Sequence, residues 1–569
     1  MTDGVHDVAI IGSGFAGSLI AHALAEEGLN VVIVEAGGAF EDERHVRQTL
    51  REAFTSSDED ELFAPYAGLV APQPRGHKAA YYVHNNDPEP SQFGGEFLRL
   101  VGGSGLAWLG TALRMCPNDF RMQSAFGRGV DWPISYPDLE PWYCKAEQEL
   151  GVAGEPDADT SLGSYRSQPF PMPAIAQSYA DRQVADRTMT LSFETSPLHV
   201  VATAQARNSI DGYNGRPLCE GYASCVPLCP VGAKYDPLIH LRRALLSGAE
   251  LLPEAIVTQL DISDEGRVTS AVFRRADGST GTVYARTFVL AANGIETPRL
   301  LLLSNQKRSA GLANESGQVG RNLMDHPEKH SCAILPDPIF SYRGPQSTSS
   351  IETLRDGPFR KHRAAFRTAL RNDGWRIANG APSGQSGKAL HGTLIELVEQ
   401  RGLFGRALRS ALEYLGPRQF ALQSVVEMLP NAENRVSLSP SLTDELGSPR
   451  PVIRFRIGSY ERDGIAAAAR LHARIFDALG CRSGDIFIDL QEKATEPDAA
   501  GSHIMGTTIM GKDPATSVVD PNCRTHDHHN LFIVGSSVFP TGAAANPTLT
   551  ISALALRAAQ YIKGTMRDA

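Results

Sequence analysis

The chain has 569 residues, of which 42% are hydrophobic and 21% charged, a composition typical of a folded globular protein and not of a disordered one. It carries 54 Lys and Arg against 64 Asp and Glu, a net charge of -10, which is the wrong sign for a protein that binds nucleic acid through its phosphates. We therefore predict no nucleic-acid partner. No apolar run approaches the ~20 residues that a membrane-spanning helix needs, so we also predict that the chain has no transmembrane segment.

The first predicted elements are a β-strand, a glycine-rich turn, a helix and a second strand, over residues 8–11, 12–17, 18–27 and 31–34. Gly12, Gly14 and Gly17 form a GxGxxG motif directly after the strand and at the start of the helix, the context that binds the pyrophosphate of a dinucleotide. Glu35 ends the second strand, where an acidic side chain bonds ribose hydroxyls and repels a 2′-phosphate. This βαβ unit predicts binding of FAD or NAD rather than NADP.

Three of the eight cysteines lie close together in the segment PLCEGYASCVPLCPVGAKY, residues 217–235. They are Cys219, Cys225 and Cys229, spaced C-x5-C-x3-C and followed at once by Pro230. Soft thiolates grouped in this way before a proline resemble the ligands of an iron–sulfur cluster more than a disulfide. Two alternatives stay open, namely a zinc site that adds a histidine such as His240, and thiols that bind nothing.

Later segments return to the strand-and-helix pattern of the N-terminus. Residues 287–304 predict an apolar strand, a small-residue turn and a helix, and residues 530–564 predict a strand, a loop and a C-terminal helix with apolar residues at helical spacing. Between them, residues 451–457 alternate like a strand and residues 466–479 predict an apolar helix. We therefore predict an α/β fold, in which a Rossmann-like domain is assembled from discontinuous segments and an α+β domain carries a mixed or antiparallel sheet.

His503 is a candidate base, because oxidation of an alcohol requires a group that takes the hydroxyl proton while a hydride leaves the carbon. Histidine suits this task near neutral pH. By itself, a histidine in a small-residue segment such as GSHIMG is more often structural, so its sequence neighbours alone do not assign the role. Asn546 lies in AANPTL, just before the last helix, where backbone N–H groups and the helix dipole favour negative charge.

The chain resembles the glucose-methanol-choline (GMC) oxidoreductases, a family of FAD-dependent alcohol dehydrogenases and oxidases. The resemblance runs end to end and is carried by the N-terminal βαβ unit, RLVGGSGLAWLG (99–110), DWPISYPDLEPWYCKAEQELGV (131–152), FVLAANGIETPRLLL (288–302), VGRNLMDHP (319–327), HIMGTTIMG (503–511) and AANPTLTISALALR (544–557). Within the family, the chain is most similar to the large catalytic subunits of bacterial FAD-dependent glucose, sugar and polyol dehydrogenases, which carry a cysteine-bearing insertion and an iron–sulfur cluster.

The resemblance implies two domains and a set of site residues. It implies an FAD-binding domain of residues 1–165, 205–328 and 498–569, with the cysteine segment 217–235 inserted, and a substrate-binding domain of residues 166–204 and 329–497. His503 is the expected base and Asn546 the residue that orients the hydroxyl, whereas His326 of the MDHP motif is expected to be structural. The residues expected to bind FAD are Gly12, Gly14, Gly17, Glu35, Arg99, Gly102, Gly103, Ser104, Val257, Ala292 and Pro547.

The cofactor predictions concern attachment and cluster type. Ala107 stands where relatives that bind FAD covalently have a histidine, so the FAD is expected to be noncovalent. Cys219, Cys225 and Cys229 are expected to hold an iron–sulfur cluster, and a set of three ligands suits a [3Fe-4S] cluster. Glu220 replaces an adjacent second cysteine of some relatives, which affects the tuning of such a cluster more than its existence.

The predicted function is oxidation of a CH–OH group of a sugar, glycoside or polyol, with electrons leaving through the cluster to a partner acceptor. A small subunit and a cytochrome c are the expected partners. The alternatives are an oxidase that passes electrons to dioxygen and a hydroxynitrile lyase on the same scaffold, although the cysteine cluster argues against a lyase.

Only MTDGVH precedes the first strand, too little for a signal peptide, so we expect a cytoplasmic protein or one exported with a partner subunit to the periplasmic face of the inner membrane. In the substrate domain, Gln423 and Glu427 are candidate substrate contacts, although Glu427 fits an ordinary sheet-surface carboxylate equally well.

Overall fold

The computed structural model describes residues 4–38, 42–48, 63–64, 81–85, 92–156, 162–222, 225–226, 228–372, 396–488 and 495–567. Fourteen strands in this part of the chain form two seven-stranded sheets. In chain order they are β1 His6–Ile11, β2 Val31–Val34, β3 Val200–Ala202, β4 Glu250–Leu252, β5 Ile256–Ile262, β6 Val268–Arg274, β7 Thr280–Leu290, β8 Pro327–Ile334, β9 Ser349–Ile351, β10 Phe366–Arg371, β11 Gln419–Val426, β12 Ile486–Phe487, β13 Ala499–Ala500 and β14 Leu531–Ile533.

The first sheet, called here the mixed sheet, has the order β4-β2-β1-β7-β6-β5, and β14 pairs with β7. The pairs β4·β2, β2·β1, β1·β7 and β7·β14 are parallel, whereas β5, β6 and β7 form an antiparallel meander. Every residue of β2 is buried, as expected for a central strand that helices cover on both faces. Residues from both ends of the chain therefore meet in one sheet.

The turn from β1 into the first helix depends on two glycines. Gly12 has a φ of +102°, and a Cβ there would lie 2.7 Å from the carbonyl oxygen of Ala291. A Cβ on Gly17 would lie 1.9 Å from the carbonyl oxygen of Gly12. The helix approaches the strand this closely because neither position carries a side chain.

The second sheet, called here the antiparallel sheet, has the order β3-β9-β10-β11-β8-β12, and β13 pairs with β8. Its strand pairs are all antiparallel. One face packs against the helix Ser459–Ala478, where the buried His472 ring hydrogen-bonds Ser331 and Ser424. Since side chains alternate along a strand, the residues directly before and after each of these serines in its strand point to the opposite face.

The helices cover the mixed sheet and the outer face of the antiparallel sheet. The helix after β1 packs against the helix Leu238–Leu246 and against the C-terminal helix, which also contacts Tyr136–Leu150. The described α-helices are α1 Phe15–Ala25, α2 Met122–Phe126, α3 Tyr136–Leu150, α4 Tyr179–Thr188, α5 Leu238–Leu246, α6 Asn293–Leu303, α7 Gly405–Leu415, α8 Ser459–Ala478 and α9 Thr548–Arg567.

Shorter strands complete the described part of the chain. A three-stranded sheet contains Val83–His84, Arg435–Thr443 and Pro449–Arg454. The two-residue pairs are Phe63–Ala64 with Phe97–Leu98, Ala153–Gly154 with Met172–Pro173, and Ser192–Phe193 with Ser196–Pro197. Within the described ranges, no helix combines the length and the apolar character needed to cross a bilayer.

The predicted fold class is confirmed, because the structure combines a Rossmann-like mixed sheet with a second, antiparallel sheet. Of the strand and helix predicted within residues 287–304, the strand is β7, which begins earlier, at Thr280, and the helix is α6. The predicted helix at 466–479 begins seven residues earlier, at Ser459. The domain boundaries stay a prediction.

Candidate active site

A cavity of about 540 Å³ is lined by residues of both seven-stranded sheets. The Gly12–Gly14 turn and Glu35 lie on the side of the mixed sheet. His503 and Asn546 line the same cavity together with residues of the antiparallel sheet. A long cavity that joins a glycine turn to a polar wall has the form expected for a dinucleotide and a small substrate bound together.

The glycine turn fits the phosphates of a dinucleotide. Gly14 precedes α1, and a Cβ placed on Gly14 would meet no atom within 4 Å. That space lies open to the backbone N–H groups at the start of α1, where the helix dipole favours an anion. The tight turn at Gly12, the open space at Gly14 and the close packing at Gly17 are therefore the features that the dinucleotide prediction requires.

A hydrogen-bonded chain connects the glycine turn to the loop of residues 99–110. Gly102 donates its backbone N–H to Ser13 Oγ at 2.8 Å, and Ser13 Oγ donates to Glu35 Oε2 at 2.6 Å. Glu35 also accepts the backbone N–H groups of Ser13 and Gly37. Burial raises the pKa of Glu35, and these hydrogen bonds oppose the shift. The carboxylate thus organises the turn as well as facing the cavity.

The ring of His326 fixes the tautomer of His503. His326 Nε2 lies 3.2 and 2.9 Å from the carbonyl oxygens of Gly542 and Ala543, which accept only, so Nε2 carries the proton. In the neutral ring, Nδ1 is then an acceptor, and His503 Nδ1, 2.8 Å away, donates to it. The lone pair of His503 is therefore on Nε2, and Asn546 Nδ2 donates to it at 3.2 Å.

Both rings are held neutral near pH 7. Burial and, to a smaller extent, the neighbouring His326 lower the pKa of His503 to about 3. Burial likewise lowers the pKa of His326, against the two carbonyl bonds that raise it. The Nε2 lone pair of a neutral His503 can accept a proton from a hydroxyl in the cavity once that hydroxyl takes the place of the Asn546 contact.

Asp325 positions the backbone of this histidine pair. Its Oδ1 accepts the backbone N–H groups of His326 and His503, each at 2.7 Å. Burial raises the pKa of Asp325 to about 7, and the two backbone bonds oppose the shift. One carboxyl group therefore holds together two segments that are 177 residues apart in sequence.

Asn546 and Pro547 lie at the start of the C-terminal helix α9, and Thr548 and Ile551 of that helix also line the cavity. The positive end of the helix dipole is thus directed at the cavity, where it stabilises negative charge. Asn546 Oδ1 accepts from Arg367 Nη1 at 3.4 Å. This contact turns the amide so that its Nδ2 faces His503.

The antiparallel sheet contributes a polar wall, defined by Glu328, His330, Arg367, Arg371 and Gln423, all of which line the cavity. Glu328 accepts from His330 Nε2 at 2.8 Å and from Gln423 Nε2 at 2.7 Å, and Arg371 donates to Gln423 Oε1 at 2.8 Å. Burial raises the pKa of Glu328, but the bonds from His330 and Gln423 outweigh burial and lower it to about 2. Glu328 is therefore an anion in this wall.

Most predicted site residues lie together, although their roles stay predictions. Those that line the cavity are His503, Asn546, Gly12, Gly14, Glu35, Arg99, Gly103, Ser104, Val257, Ala292 and Pro547. Gly17 and Gly102 lie behind it and shape the turn and the loop. Gln423 belongs to the polar wall, whereas Glu427 does not line the cavity: it is fully buried and pairs with Arg360 and Tyr460.

Cys225, one of the three cysteines of the segment 217–235, directly precedes a residue of the cavity wall, Val226. Cys225 is buried, Cys219 and Cys229 are partly exposed, and all three are free thiols. Burial raises the pKa of Cys219, and the other two cysteines add to the shift, so the three sulfurs are electrostatic neighbours. Val226, next to Cys225, lines the cavity and donates its backbone N–H to Gln346 Oε1 at 3.0 Å.

Two buried cations accompany the cysteines. Arg207 Nη1 donates to Cys225 Sγ at 3.2 Å, and Lys234 Nζ donates to the carbonyl oxygen of Cys225 at 2.8 Å. Neither cation forms an ion pair with a carboxylate in the residues that the structure describes. Buried cations beside thiols fit an anionic group held by those thiols. The structure does not, however, gather any three His, Cys, Asp or Glu side chains of the described ranges closely enough to hold a metal ion.

The alternative of a zinc site with His240 as its fourth ligand is wrong. His240 is buried, its Nδ1 lies 2.7 Å from the Tyr235 hydroxyl, and its Nε2 lies 3.1 Å from Glu149. Both ring nitrogens are therefore engaged by groups other than the cysteine thiols.

Sequence reasoning missed two features of the site. His326 was expected to be structural, yet its ring sets the tautomer of His503. Arg367 was not singled out, although it lies in the cavity wall and contacts Asn546. The MDHP motif was a signal for His326, whereas a lone arginine in a strand offered no signal for Arg367.

Comparison with known proteins agrees with this geometry. The family model described as GMC oxidoreductase matches residues 203–328 and 430–555, and one described as FAD dependent oxidoreductase matches residues 7–49. The chain is 34% identical to the fructose dehydrogenase large subunit of Gluconobacter japonicus, over 99% of this chain and 98% of that protein. It is 28% identical to 6'''-hydroxyparomomycin C oxidase of Streptomyces lividus, over 98% of this chain and 92% of that protein.

The fold is similar to that of a solved oxidase. The structure of pyridoxine 4-oxidase from Mesorbium loti matches with a TM-score of 0.62 and 20% identity, covering 98% of this chain and 99% of that one. The similarity to the large subunit of a sugar dehydrogenase confirms the resemblance inferred from the sequence motifs. The chain belongs to the GMC oxidoreductase family and is an FAD-dependent oxidoreductase that acts on CH–OH donors.

Proposed function

We propose that the protein is a dehydrogenase that oxidises a CH–OH group of a sugar, glycoside or polyol and passes the electrons through an iron–sulfur cluster to a partner acceptor. The observation that carries the proposal is the neutral His503, whose Nε2 lone pair faces a cavity with a dinucleotide turn and a polar wall. Noncovalent attachment of FAD is part of the proposal, because Ala107 lines the cavity where some relatives carry a histidine.

The residues of the chain divide the chemistry among them. His503 Nε2 takes the proton of the substrate hydroxyl, and Asn546 Nδ2 holds the hydroxyl oxygen beside it. Bound FAD supplies the acceptor for the hydride that leaves the carbon. His326 keeps the proton of His503 on Nδ1, so that Nε2 stays available. The start of α9 offers a positive dipole to negative charge that develops in the cavity.

The sugar or polyol class is supported by the polar wall. Glu328, His330, Arg371 and Gln423 offer both donors and acceptors on one face of the antiparallel sheet. Such a surface suits a substrate with several hydroxyl groups, because each buried hydroxyl requires a partner. The large subunit to which the chain is 34% identical is named for a sugar, fructose.

The cluster is supported by the chemistry of the segment 217–235. Cys219, Cys225 and Cys229 supply three thiols, and the arrangement suits a [3Fe-4S] cluster with three protein ligands. Arg207 and Lys234 would balance its negative charge from the buried side. Val226, which belongs to this segment, lines the cavity, so the segment adjoins the site from which the electrons would leave. A small subunit and a cytochrome c are the proposed partners, since the related fructose dehydrogenase chain is named as a large subunit.

The first test is an anaerobic visible spectrum of the purified protein, before and after addition of a panel of sugars, glycosides and polyols. We expect a flavin spectrum on a broad iron–sulfur background, bleached by at least one compound. If no member of the panel bleaches the flavin, the proposed substrate class is wrong. The oxidase alternative, which is supported by the name of the related 6'''-hydroxyparomomycin C oxidase, predicts stoichiometric peroxide with dioxygen alone. The dehydrogenase predicts slow reoxidation of the flavin by dioxygen and fast reoxidation by a one-electron acceptor.

The cluster is tested by iron and acid-labile sulfide analysis of anaerobically purified protein, alongside Cys225→Ser. We expect iron and sulfide in the wild type and their loss in the variant, with the flavin retained in both. Cys481→Ser is the matched control, because Cys481 is a free thiol outside the cysteine segment. Stoichiometric zinc without sulfide in the wild type would show that the cluster assignment is wrong.

A further inference from the structure

The helix α7 is amphipathic, yet none of its residues is buried. At 3.6 residues per turn, its apolar side chains fill one arc of about 160° around the helix axis, and its polar side chains lie on the other arc. The apolar residues are Ala407, Leu408, Ala411, Leu412, Tyr414 and Leu415, and the polar ones are Arg406, Arg409, Ser410 and Glu413. A helix of 11 residues is marginal in water by itself and is stabilised mainly by the packing of its apolar face. A further surface that covers this face would therefore stabilise α7.

The apolar arc includes side chains that are strongly exposed. Phe404, the residue before α7, is 67% exposed and Tyr414 is 55% exposed, whereas the three leucines of the helix are half-buried. Among the described residues, the principal neighbours of α7 are the two turns that flank it, residues 396–400 and 416–418. The helix therefore lies at the surface of the protein, with two aromatic rings in water.

The segment that contains α7 is basic, although the chain as a whole is acidic. Residues 401–418 carry four arginines and one glutamate, a net charge of +3 (4 minus 1), whereas the whole chain has a net charge of -10. Arg409 is exposed and contacts Glu413 at 2.8 Å, and Arg418 lies over the Tyr414 ring, 4.4 Å from its centroid. The charge of this segment favours an anionic partner.

A second group of aromatic side chains adjoins the end of α7. The carbonyl oxygen of Pro417, two residues after the helix, accepts the backbone N–H groups of Ile339 and Phe340 at 2.7 and 2.8 Å. The Phe340 ring packs against the ring of Tyr179, which is 44% exposed, with the two ring centroids 6.2 Å apart. Arg343 lies over the Phe340 ring, 4.4 Å from its centroid. Aromatic rings next to arginines thus extend the surface beyond α7.

We propose that α7 and the adjoining aromatic side chains form a membrane-binding surface, which docks on a bilayer that contains anionic lipids. The helix lies in the plane of the interface, with Phe404, Tyr414 and its leucines at the acyl chains. Arg406 and Arg409 lie at the anionic headgroups, because their long side chains reach back to the polar level. The inference depends neither on the substrate nor on the cysteine segment.

A lipid surface fits these observations better than a groove on another protein. A groove that received the apolar arc would leave the arginines of the opposite arc in water, so it would not account for the positive charge. A bilayer meets both features at once, because anionic headgroups surround a helix whose apolar side is immersed. Aromatic rings are also enriched at the headgroup level. With 11 residues, α7 is too short to cross the bilayer, which requires ~20.

The test is flotation of the purified, FAD-loaded chain with lipid vesicles, at low and at high ionic strength. Vesicles of phosphatidylcholine alone are compared with vesicles in which about one third of the lipid is phosphatidylglycerol. The apolar variant combines Phe404→Ser with Tyr414→Ser, and the basic variant combines Arg406→Gln with Arg409→Gln. All four side chains are exposed, so both variants should keep the FAD content and the thermal midpoint of the wild type.

The matched controls are two exposed side chains of α5, a different part of the surface. Leu246 is 81% exposed and the Arg242 side chain is 62% exposed. Leu246→Ser therefore removes an exposed apolar side chain and Arg242→Gln removes an exposed positive charge, in each case away from α7. Both controls should bind vesicles as the wild type does.

We expect the wild type to bind the phosphatidylglycerol vesicles at least about tenfold more tightly than phosphatidylcholine vesicles, and high ionic strength to remove most of this difference. The basic variant should lose affinity for the anionic vesicles by about 10- to 30-fold, since each arginine at an anionic surface contributes about a factor of five. The apolar variant should lose about tenfold or more for both kinds of vesicle, because its rings no longer leave water.

Three results would overturn the inference: no binding to vesicles of either composition, wild-type binding by both α7 variants, or equal losses in the α7 variants and the α5 controls. Light scattering without vesicles adds a fourth. A dimer that the apolar variant abolishes, together with no vesicle binding, would assign the surface to a second copy of the chain. None of these measurements uses flavin reduction, so the inference fails separately from the proposed function.

Discussion

Replacement of His326 tests whether the tautomer of His503 controls the reaction. His326→Leu removes the acceptor of His503 Nδ1–H, a bond of 2.8 Å between the buried ring of His326 and the half-buried ring of His503. A buried N–H group without a partner costs about 1–3 kcal/mol, and the ring relieves this cost by moving its proton or by turning. At 1.36 kcal/mol for each factor of ten in rate, the form with a free lone pair on Nε2 becomes roughly 10- to 100-fold rarer.

The assay is anaerobic flavin reduction under single-turnover conditions, with the flavin content and thermal midpoint of each variant recorded. We expect His326→Leu to lower the reduction rate by roughly 10- to 100-fold and to change the substrate dissociation constant by less than about threefold. His326→Asn offers Oδ1 near the position of Nδ1, so it should recover most of the rate. A leucine variant that reduces within about threefold of wild type, or equal losses in leucine and asparagine variants, would refute the tautomer argument.

Three further predictions concern the glycine turn and two buried histidines. Gly17→Ala places a Cβ 1.9 Å from the carbonyl oxygen of Gly12, so it should lower the free energy of unfolding by about 2 kcal/mol or more. Gly14→Ala should instead leave the thermal midpoint of the apoprotein nearly unchanged and weaken FAD binding. Equal losses of thermal midpoint in the two variants would contradict this contrast. Burial and the neighbouring histidine lower the pKa of His503 to about 3, so His503 stays neutral over the range below the pKa of Asp325, about 7. The reduction rate should therefore be flat from pH 6 to pH 4.5, and a loss of about tenfold for each pH unit in that range would count against the lowered pKa of His503. Burial lowers the pKa of His472 to about 3, whereas a histidine of the unfolded chain has a pKa of about 6.5. The unfolded chain therefore binds one more proton between these pH values, and the free energy of unfolding falls from pH 6.5 toward pH 3. His472→Asn should reduce this pH dependence in thermal melts, and an unchanged pH dependence would refute the lowered pKa of His472.

Local patterns determined the elements and the turn chemistry of this protein. The apolar strand of residues 8–11 and the GxGxxG motif predicted the βαβ unit, because short-range sterics and hydrophobic periodicity decide such elements within a few residues. Small residues before the last helix predicted where that helix begins. The resemblance to the GMC family then led to His503 and Asn546, which line the same cavity.

Tertiary structure alone decided how the base is prepared. His326 and His503 are 177 residues apart, and the carbonyl groups that fix the His326 proton belong to a third segment. A tautomer depends on the partners of both ring nitrogens, so no sequence pattern around either histidine contains this information. The same holds for Glu427, whose sequence position suited a substrate contact but whose carboxylate is buried against Arg360.

Strand register also decided which side chains form the polar wall. Arg367 and Gln423 lie on neighbouring strands, β10 and β11, whose antiparallel register pairs Arg367 with Val425 and Ala369 with Gln423. A shift of one residue would turn each of these side chains to the face that packs on α8. Sequence therefore determined which segments are strands and where the dinucleotide turn lies, whereas long-range pairing, which no local pattern encodes, decided which side chains meet in the cavity wall.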